Sequence, residues 1–167
     1  VNNKDYFDLP LTFIGDEHAF FQDLTMYEQL IFLCKLNKMS KREAKEKIST
    51  IISRFHLEEY MNYYPHACSR GTIQRFGLIC GYLRNSDILL LDEPFITLDP
   101  VQVNILENAL LDYKDERKIM IISSHDLDSL ERICDEFLII HDQQITLFSK
   151  ETMDLENITK LLSDAYD

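Results

Sequence analysis

Basic residues are scarce in this chain of 167 residues, which has 17 Lys and Arg against 29 Asp and Glu and a formal net charge of -12. A nucleic-acid-binding face needs clustered Lys and Arg to displace counterions from phosphates. The longest basic cluster, Lys38 to Lys47, is interleaved with Glu43 and Glu46, as is typical of a solvated helix face. The composition therefore argues against nucleic acid as a partner.

Long apolar runs and paired cysteine motifs are also missing. No stretch of the sequence approaches the roughly 18 apolar residues that cross a bilayer, so we expect membrane contact only through a partner. The four cysteines are widely separated, without the C-x-x-C spacing of zinc or redox sites. Cys34, Cys80 and Cys134 lie among apolar residues, which predicts reduced, buried thiols of a cytoplasmic protein.

An aliphatic strand that ends in two carboxylates is the most informative feature present. The aliphatic residues 88–91 are followed by Asp92, Glu93 and Pro94. Such a run is typical of a strand buried on both faces of a parallel α/β sheet, where ligands bind beyond the carboxyl ends of the strands. Hydrolysis of a phosphate needs one acid to hold Mg²⁺ and a second to accept a proton from water. Asp92 and Glu93 supply this pair, and a buried strand ending in a polar turn is the alternative.

A helix start precedes this strand. Apolar residues at helical spacing between Ile73 and Leu83 predict a helix that begins at or near Ser69. The first turn of a helix offers unpaired N–H groups and a positive dipole end, both of which favour an anionic phosphate. Ser69 is therefore a candidate phosphate-binding residue.

A second aliphatic strand, 118–123, is followed by Ser124, His125 and Asp126. In a parallel sheet this brings a histidine to the same edge as Glu93. His125 is therefore a candidate site residue, and a polar cap of the following helix is the alternative.

Together these motifs resemble the ATP-binding cassette (ABC) ATPase family over almost the whole chain. Ile88 to Asp92 resembles its Walker B strand, and Glu93 its catalytic glutamate. The remaining matches are the D-loop at Leu98 to Pro100, the switch histidine at His125, the signature at Cys68 to Thr72 and the Q-loop strand at Leu11 to His18. The run Ser123 to Asp135 is similar to bacterial export-type subunits.

The resemblance implies a set of site residues, with ATP and Mg²⁺ as cofactors. Glu93 and His125 would be catalytic, and Asp92, through water, and Asp16 would hold the Mg²⁺. The residues implied to bind the nucleotide are Asp16, Ser69, Arg70, Gly71 and Asp99. In the family two subunits clamp two ATP molecules, each between the phosphate loop of one chain and the signature helix of the other.

Glycine is the last scarcity, with four residues in the chain and no G-x-x-x-x-G-K-[ST] string. Without that loop the chain has no nest of N–H groups for the phosphates, so we expect it not to bind ATP well by itself. The resemblance puts the loop upstream of the first strand, and Val1 to Asp5 resembles the turn between them. We therefore expect the C-terminal part of a longer protein, from which the N-terminal strands and the phosphate loop are missing. Evolutionary loss of the loop is the alternative.

Several positions depart from the family pattern. Arg70 stands where the family has glycine, and its cation could crowd the clamp or pair with the phosphate. Thr72 replaces Gln or Met, and Phe95 to Thr97 replaces small residues. For Asp99, which precedes Pro100, helix capping and a role in the site both stay open.

Hydrophobic periodicity predicts an α/β fold, in which an all-helical block interrupts alternating strands and helices. The resemblance implies that the fold is of the P-loop NTPase type, a mostly parallel sheet with an inserted all-helical subdomain. The predicted subdomains are an ATPase core, 1–23 and 69–167, and a helical block, 24–68. The predicted strands are 11–15, 88–92, 118–123, 136–141 and 144–148. The predicted helices are 26–38, 40–56, a short piece from Glu58 to Tyr63 ended by Pro65, the helix after Ser69, 100–114, 126–134 and a closing tail helix after Lys150.

These observations favour an ATP-hydrolysing subunit of a membrane transporter that drives efflux. Its expected partners are a transmembrane permease subunit and a second ATP-binding subunit, at the inner face of the cell membrane. A non-catalytic pseudo-ATPase partner subunit is the first alternative. ABC-type ATPases that act on DNA or ribosomes are the second, and the compact helical block and the acidic charge argue against them.

Overall fold

The computed structural model describes residues 11–15, 19–84, 86–114, 118–141 and 144–151. Within them the chain has an α/β fold whose larger sheet is parallel, as predicted. The chain divides into two compact units, Val1–Ser124 and His125–Asp167. The predicted division into an ATPase core and a helical block stays a prediction.

Two capped helices follow the first strand. Helix α1 covers Met26–Leu36 and helix α2 covers Lys41–Arg54, close to the predicted 26–38 and 40–56. The predicted capping box at Ser40 is present, because the Ser40 side chain accepts from the Glu43 N–H and the Glu43 side chain accepts from the Ser40 N–H. Thr25 and Glu28 form the same reciprocal cap on α1. Side-chain caps therefore fix where both helices begin.

The segment after α2 differs from its prediction. The helical piece is a single 3₁₀ turn, Glu58–Tyr60, and it ends well before Pro65. Pro65 begins a second 3₁₀ turn, Pro65–Ala67, instead of ending the first. The physical reason is that proline, which has a fixed φ and no N–H, suits the first position of a helical turn.

Three parallel strands form the larger sheet in the order β1-β2-β3. They are β1 Leu11–Ile14, β2 Ile88–Asp92 and β3 Ile119–Ser123. Helix α3, Arg70–Leu83, lies between β1 and β2 in the chain, and helix α4, Pro100–Lys114, between β2 and β3. In the register of β2 and β3, Asp92 pairs with Ser123 at the carboxyl ends of both strands.

The two faces of this sheet are buried to different degrees. Leu89 and Leu91 of β2 are buried, and helix α3 covers this side, since its Gly81 lies against the side chains of Ile14 and Thr12. The β2 residues on the opposite face, Ile88 and Leu90, are only half-buried. Their neighbours on that face are exposed, namely Leu11, Phe13, Ile119 and Ile121.

The prediction of a strand buried on both faces is therefore wrong for these residues. An all-aliphatic sequence allows both faces of a strand to be buried. Burial itself requires another element to pack on each face, and the sequence of the strand does not determine that. Within the described part of the chain, strand β2 is fully buried on one face only.

The second unit contains helix α5, Leu127–Ile133, and the antiparallel strands β4, Glu136–His141, and β5, Gln144–Ser149. The predicted hairpin is thereby confirmed. Its turn, 142–143, and the predicted tail helix from 152 onward lie outside the described residues, as do Val1 to Asp5.

All four cysteines are free thiols. Cys34 is buried, whereas Cys80 and Cys134, both predicted to be buried, are half-buried. Desolvation raises the pKa of the Cys34 thiol and raises that of Cys80 to about 12. Neither thiol is therefore an activated nucleophile near neutral pH.

Candidate functional site

The carboxyl ends of β2 and β3 bring two polar side chains together. Asp92 is exposed at the end of β2, and the Ser123 hydroxyl donates a hydrogen bond to its Oδ1 atom at 2.5 Å. The same hydroxyl lies 3.5 Å from the carbonyl oxygen of Leu91. The predicted acidic residue thus lies at the sheet edge, with one carboxylate oxygen already engaged.

Glu93 follows in an uncommon backbone conformation. Its φ is 46°, in the left-handed region that residues with a side chain rarely adopt. Its N–H donates to the carbonyl oxygen of Ser123 at 2.9 Å, and its own carbonyl accepts from the N–H of Ile96 at 3.2 Å. Such conformations cost about 1–3 kcal/mol and persist where the surrounding structure enforces them, often at functional sites. The strand end and the turn after it therefore hold Glu93 between them.

Ser69 caps helix α3, as the sequence predicted. Its side-chain oxygen accepts from the Thr72 N–H at 3.2 Å, and the two hydroxyl oxygens are 2.9 Å apart. Ser69 and Arg70 are both exposed, whereas Gly71 is buried. The first turn of α3 thus presents a serine and an arginine at its surface.

The starts of α3 and α4 are in contact. A Cβ atom added to Gly71 would meet the side chains of Gln102 and Leu98, so glycine permits the close approach. Asp99 caps α4, because its Oδ1 atom accepts from the Gln102 N–H at 2.9 Å. The Gln102 side chain in turn accepts from the Asp99 N–H at 3.4 Å. Asp99 therefore has the capping role left open above, and its part in the site stays a prediction.

Arg75 supports the start of α3 and was not singled out from the sequence. It is only 5% exposed, and its Nη1 atom donates to the carbonyl oxygen of Phe55 at 2.8 Å. Its Nε atom donates to the carbonyl oxygen of Gly71 at 3.4 Å. Desolvation lowers the pKa of Arg75, and Tyr60 and Asp99 partly offset this. Arg75 thus joins the end of α2 to the first turn of α3. The signal for this role in the sequence was a charged residue among apolar residues, four positions after Gly71.

The predicted site roles of Asp16 and His125 are not tested by the described part of the structure. Asp16 lies outside the described residues. His125 is exposed and begins the second unit, where the residue that caps α5 is Asp126, which accepts from the Ser129 N–H at 3.1 Å. The alternative in which His125 caps that helix is therefore wrong, and its role at the nucleotide stays a prediction.

The donor set at the sheet edge fits Mg²⁺. Magnesium prefers carboxylate and water oxygens and is usually held by one or two carboxylates together with substrate phosphates. Asp92 offers such a carboxylate at an exposed strand end. Within the described ranges, no cluster of three or more His, Cys, Asp or Glu residues could hold a metal ion. The arrangement therefore suits a magnesium ion that arrives with a phosphate ligand.

This chain is similar to known proteins in sequence and in fold. The family model described as "ABC transporter" matches residues 3–96. The "Uncharacterized ABC transporter ATP-binding protein YhaQ" of Bacillus subtilis (strain 168) is 31% identical over 128 residues, which cover 77% of this chain and 43% of that protein. The "ABC-type transporter ATP-binding protein EcsA" of the same organism is 27% identical over 151 residues, which cover 87% of this chain and 61% of that protein.

A solved structure described as "Structure of ATP binding subunit of ABC transporter" has the same fold. Its TM-score is 0.76 at 23% sequence identity, and the match covers 95% of this chain and 64% of that chain. The chain spans 43% of the length of YhaQ and 61% of that of EcsA.

Proposed function

This chain belongs to the ABC transporter family, and we propose that it is part of an ATP-binding subunit whose hydrolysis of ATP drives a membrane transporter. The observation that carries the proposal is the pair Asp92 and Glu93 at the end of β2, each hydrogen-bonded to Ser123. In the proposed organisation, 1–23 and 69–167 form the ATPase core and 24–68 form the helical subdomain.

The proposed chemistry separates the two carboxylates by role. Asp92 holds Mg²⁺, through water, and the ion neutralises charge on the phosphates when it is bound. Glu93 orients a water molecule and accepts its proton as that water attacks the terminal phosphoryl group, whose bond to the bridging oxygen breaks so that ADP leaves. His125 contacts that phosphoryl group and keeps the water aligned. Asp16 senses the bound Mg²⁺ and passes the state of the site to the membrane partner.

A second subunit completes each nucleotide site. The capped first turn of α3, with Ser69, Arg70 and Gly71, faces the phosphates of the ATP held by the partner, where its N–H groups favour negative charge. Arg70 adds a cation at this point, and of the two alternatives given above we propose pairing with phosphate, because the side chain is exposed. Asp99 lies next to this turn through the contact of Gln102 with Gly71 and takes part in the same interface.

A transmembrane permease subunit is the proposed membrane partner. Within the described residues, none of the helices has both the length and the apolar character needed to cross a bilayer. Phe21, which is 57% exposed, packs edge-on against Phe32, which is 38% exposed, with ring centroids 5.5 Å apart. Aromatic residues, phenylalanine among them, are enriched in protein interfaces relative to the rest of the surface. We propose that the permease docks here and holds the subunit at the inner face of the membrane.

The proposed direction of transport is efflux, which is supported by the similarity of Ser123 to Asp135 to export-type subunits. Reconstitution tests the docking surface and the direction together. The complete protein and its permease in vesicles should hydrolyse ATP faster than the protein alone and move cargo toward the face opposite the ATPase.

Phe21→Ser with Phe32→Ser should remove the stimulation and keep the basal rate, whereas Leu147→Ser, at a residue 59% exposed on β5, should change neither. Stimulation that survives the Phe pair would refute the docking surface.

The function itself is tested with the complete protein in solution. ATP turnover should require Mg²⁺, stop on chelation by EDTA and return when Mg²⁺ is restored. Nucleotide binding without any Mg²⁺-dependent turnover, in a preparation paired with its partner subunit, would refute hydrolysis and leave the non-catalytic subunit.

A further inference from the structure

Ser123 contacts both carboxylate residues of the site through two different groups. Its hydroxyl donates to Asp92 Oδ1 at 2.5 Å, and its carbonyl oxygen accepts from the Glu93 N–H at 2.9 Å. Both contacts follow from the register, since Asp92 and Ser123 are paired last residues of neighbouring parallel strands. Ser123 therefore acts on Asp92, the last residue of β2, and on Glu93, the first residue of the turn that follows.

The hydroxyl contact restricts the Asp92 carboxylate. A carboxylate group otherwise rotates among several orientations, and a short hydrogen bond to one of its oxygens selects one of them. Because the bond engages Oδ1, the other oxygen is the one that the geometry leaves to a metal ion or to metal-bound water. Partners of this kind behind a metal ligand typically change metal affinity about 10- to 100-fold when they are removed.

The carbonyl contact acts on the Glu93 backbone. A residue with φ 46° would relax toward a commoner conformation if nothing held it. The N–H to carbonyl hydrogen bond from Glu93 to Ser123 opposes that relaxation and sets where the Glu93 side chain begins. This contact uses the main chain, so a substitution of the Ser123 side chain leaves it in place.

We propose that Ser123 is a positioning residue of the ATPase site, whose hydroxyl orients Asp92 toward the metal ion while its carbonyl fixes the backbone of Glu93. The proposal rests on the proposed function of Asp92 as the magnesium residue. It assigns to β3 a part in the site that is independent of His125.

Substitution of the side chain isolates the hydroxyl. In the complete protein, Ser123→Ala should raise the Mg²⁺ concentration for half-maximal ATP turnover by about 10-fold, with a much smaller change in kcat at saturating Mg²⁺. The Kd of Mn²⁺ in the presence of ATP, measured by electron paramagnetic resonance without turnover, should rise by the same factor. Ser123→Thr, which keeps the hydroxyl, should restore both values.

Two controls keep the result interpretable. Ser53→Ala removes an exposed hydroxyl on α2 and should leave the Kd of Mn²⁺ unchanged. If Ser123→Ala does not fold, the comparison of Ser123→Thr with Ser123→Val decides, because these side chains have nearly the same shape and only the first has a hydroxyl. A Kd equal to that of the wild type in Ser123→Ala or Ser123→Val would overturn the proposal. Failure of the proposed function would instead appear in the wild-type protein, as absence of Mn²⁺ binding with ATP or of turnover.

Discussion

The guanidinium group of Arg75 donates a hydrogen bond to the carbonyl oxygen of Phe55 at 2.8 Å, although the two residues are 20 positions apart and two 3₁₀ turns lie between them in the chain. Phe55 is the C-cap of α2, and Arg75 lies one turn into α3. The carbonyls at a helix C-terminus have no partner within the helix, so the cation satisfies a group that would otherwise be buried unpaired. This contact holds the end of α2 against the start of the helix that carries Ser69.

Loss of this cation should destabilise the protein. Arg75→Met should lower the free energy of unfolding by about 3 kcal/mol, because it leaves the buried carbonyl group of Phe55 without its donor. Arg75→Lys should recover only part of the loss, since an ammonium group cannot reproduce the forked geometry of the guanidinium. Urea unfolding of the complete protein measures the difference.

The matched control for Arg75 is Arg42, which is highly exposed and makes only a weak ion pair with Glu46 at 4.0 Å. Arg42→Met should change the free energy of unfolding by less than about 0.5 kcal/mol. An equal effect of the two substitutions would show that burial of Arg75 has no special importance.

Thr97 carries backbone strain that glycine would relieve. Its φ is 69°, which is unfavourable for a β-branched residue. Thr97→Gly should therefore raise the free energy of unfolding by about 1 kcal/mol, net of the greater freedom of glycine in the unfolded chain. Thermal unfolding should show a higher Tm.

The same substitution in a helix should have the opposite sign. Thr50 lies within α2, and Thr50→Gly should lower the free energy of unfolding by up to about 1 kcal/mol. A lower Tm for both variants would mean that the turn after Glu93 is not strained at Thr97.

The capping boxes predict a pH dependence of stability. Hydrogen bonds from the Ser40 side chain and N–H lower the pKa of Glu43 from its ordinary value of 4.5. Because the folded pKa is below the unfolded one, this contribution is fully present above pH 4.5 and is lost as the pH falls through the lowered pKa. The Tm difference between the wild type and Glu43→Gln should therefore shrink as the pH falls below 4.5 and through the lowered pKa of Glu43.

Glu46 lies on the same helix and provides a comparison for Glu43. It is outside the capping box, so Glu46→Gln shows how much of the Tm difference comes from removing a charge from α2 and not from the cap. A Tm difference for Glu43→Gln that stays constant from neutral to acidic pH would contradict the proposed origin of the pKa shift.

Much of the fold was predictable because its determinants are local. Ser40 and Ser69 cap helices that begin where their side chains can accept backbone N–H groups, and Pro100 begins α4 as expected. Local chemistry thus located most elements to within two residues.

What the sequence did not indicate depends on contacts between distant residues. The role of Arg75 requires the end of α2 to approach α3, which no periodicity encodes. The strained φ of Glu93 requires the carbonyl of Ser123, and the exposed face of β2 depends on which elements cover the sheet. For Pro65, two compatible local roles existed, and only the path of the chain decided between them.

Glu93→Gln in the complete protein tests the central claim most directly. The substitution keeps the size of the side chain and removes the proton acceptor, so steady-state turnover of Mg-ATP should fall by roughly 10²-fold or more while ATP binding is retained. The control is Glu59→Gln, at an exposed 3₁₀ turn, which should hydrolyse ATP at the wild-type rate. Turnover of Glu93→Gln equal to that of this control would contradict the assignment of Glu93 as the general base.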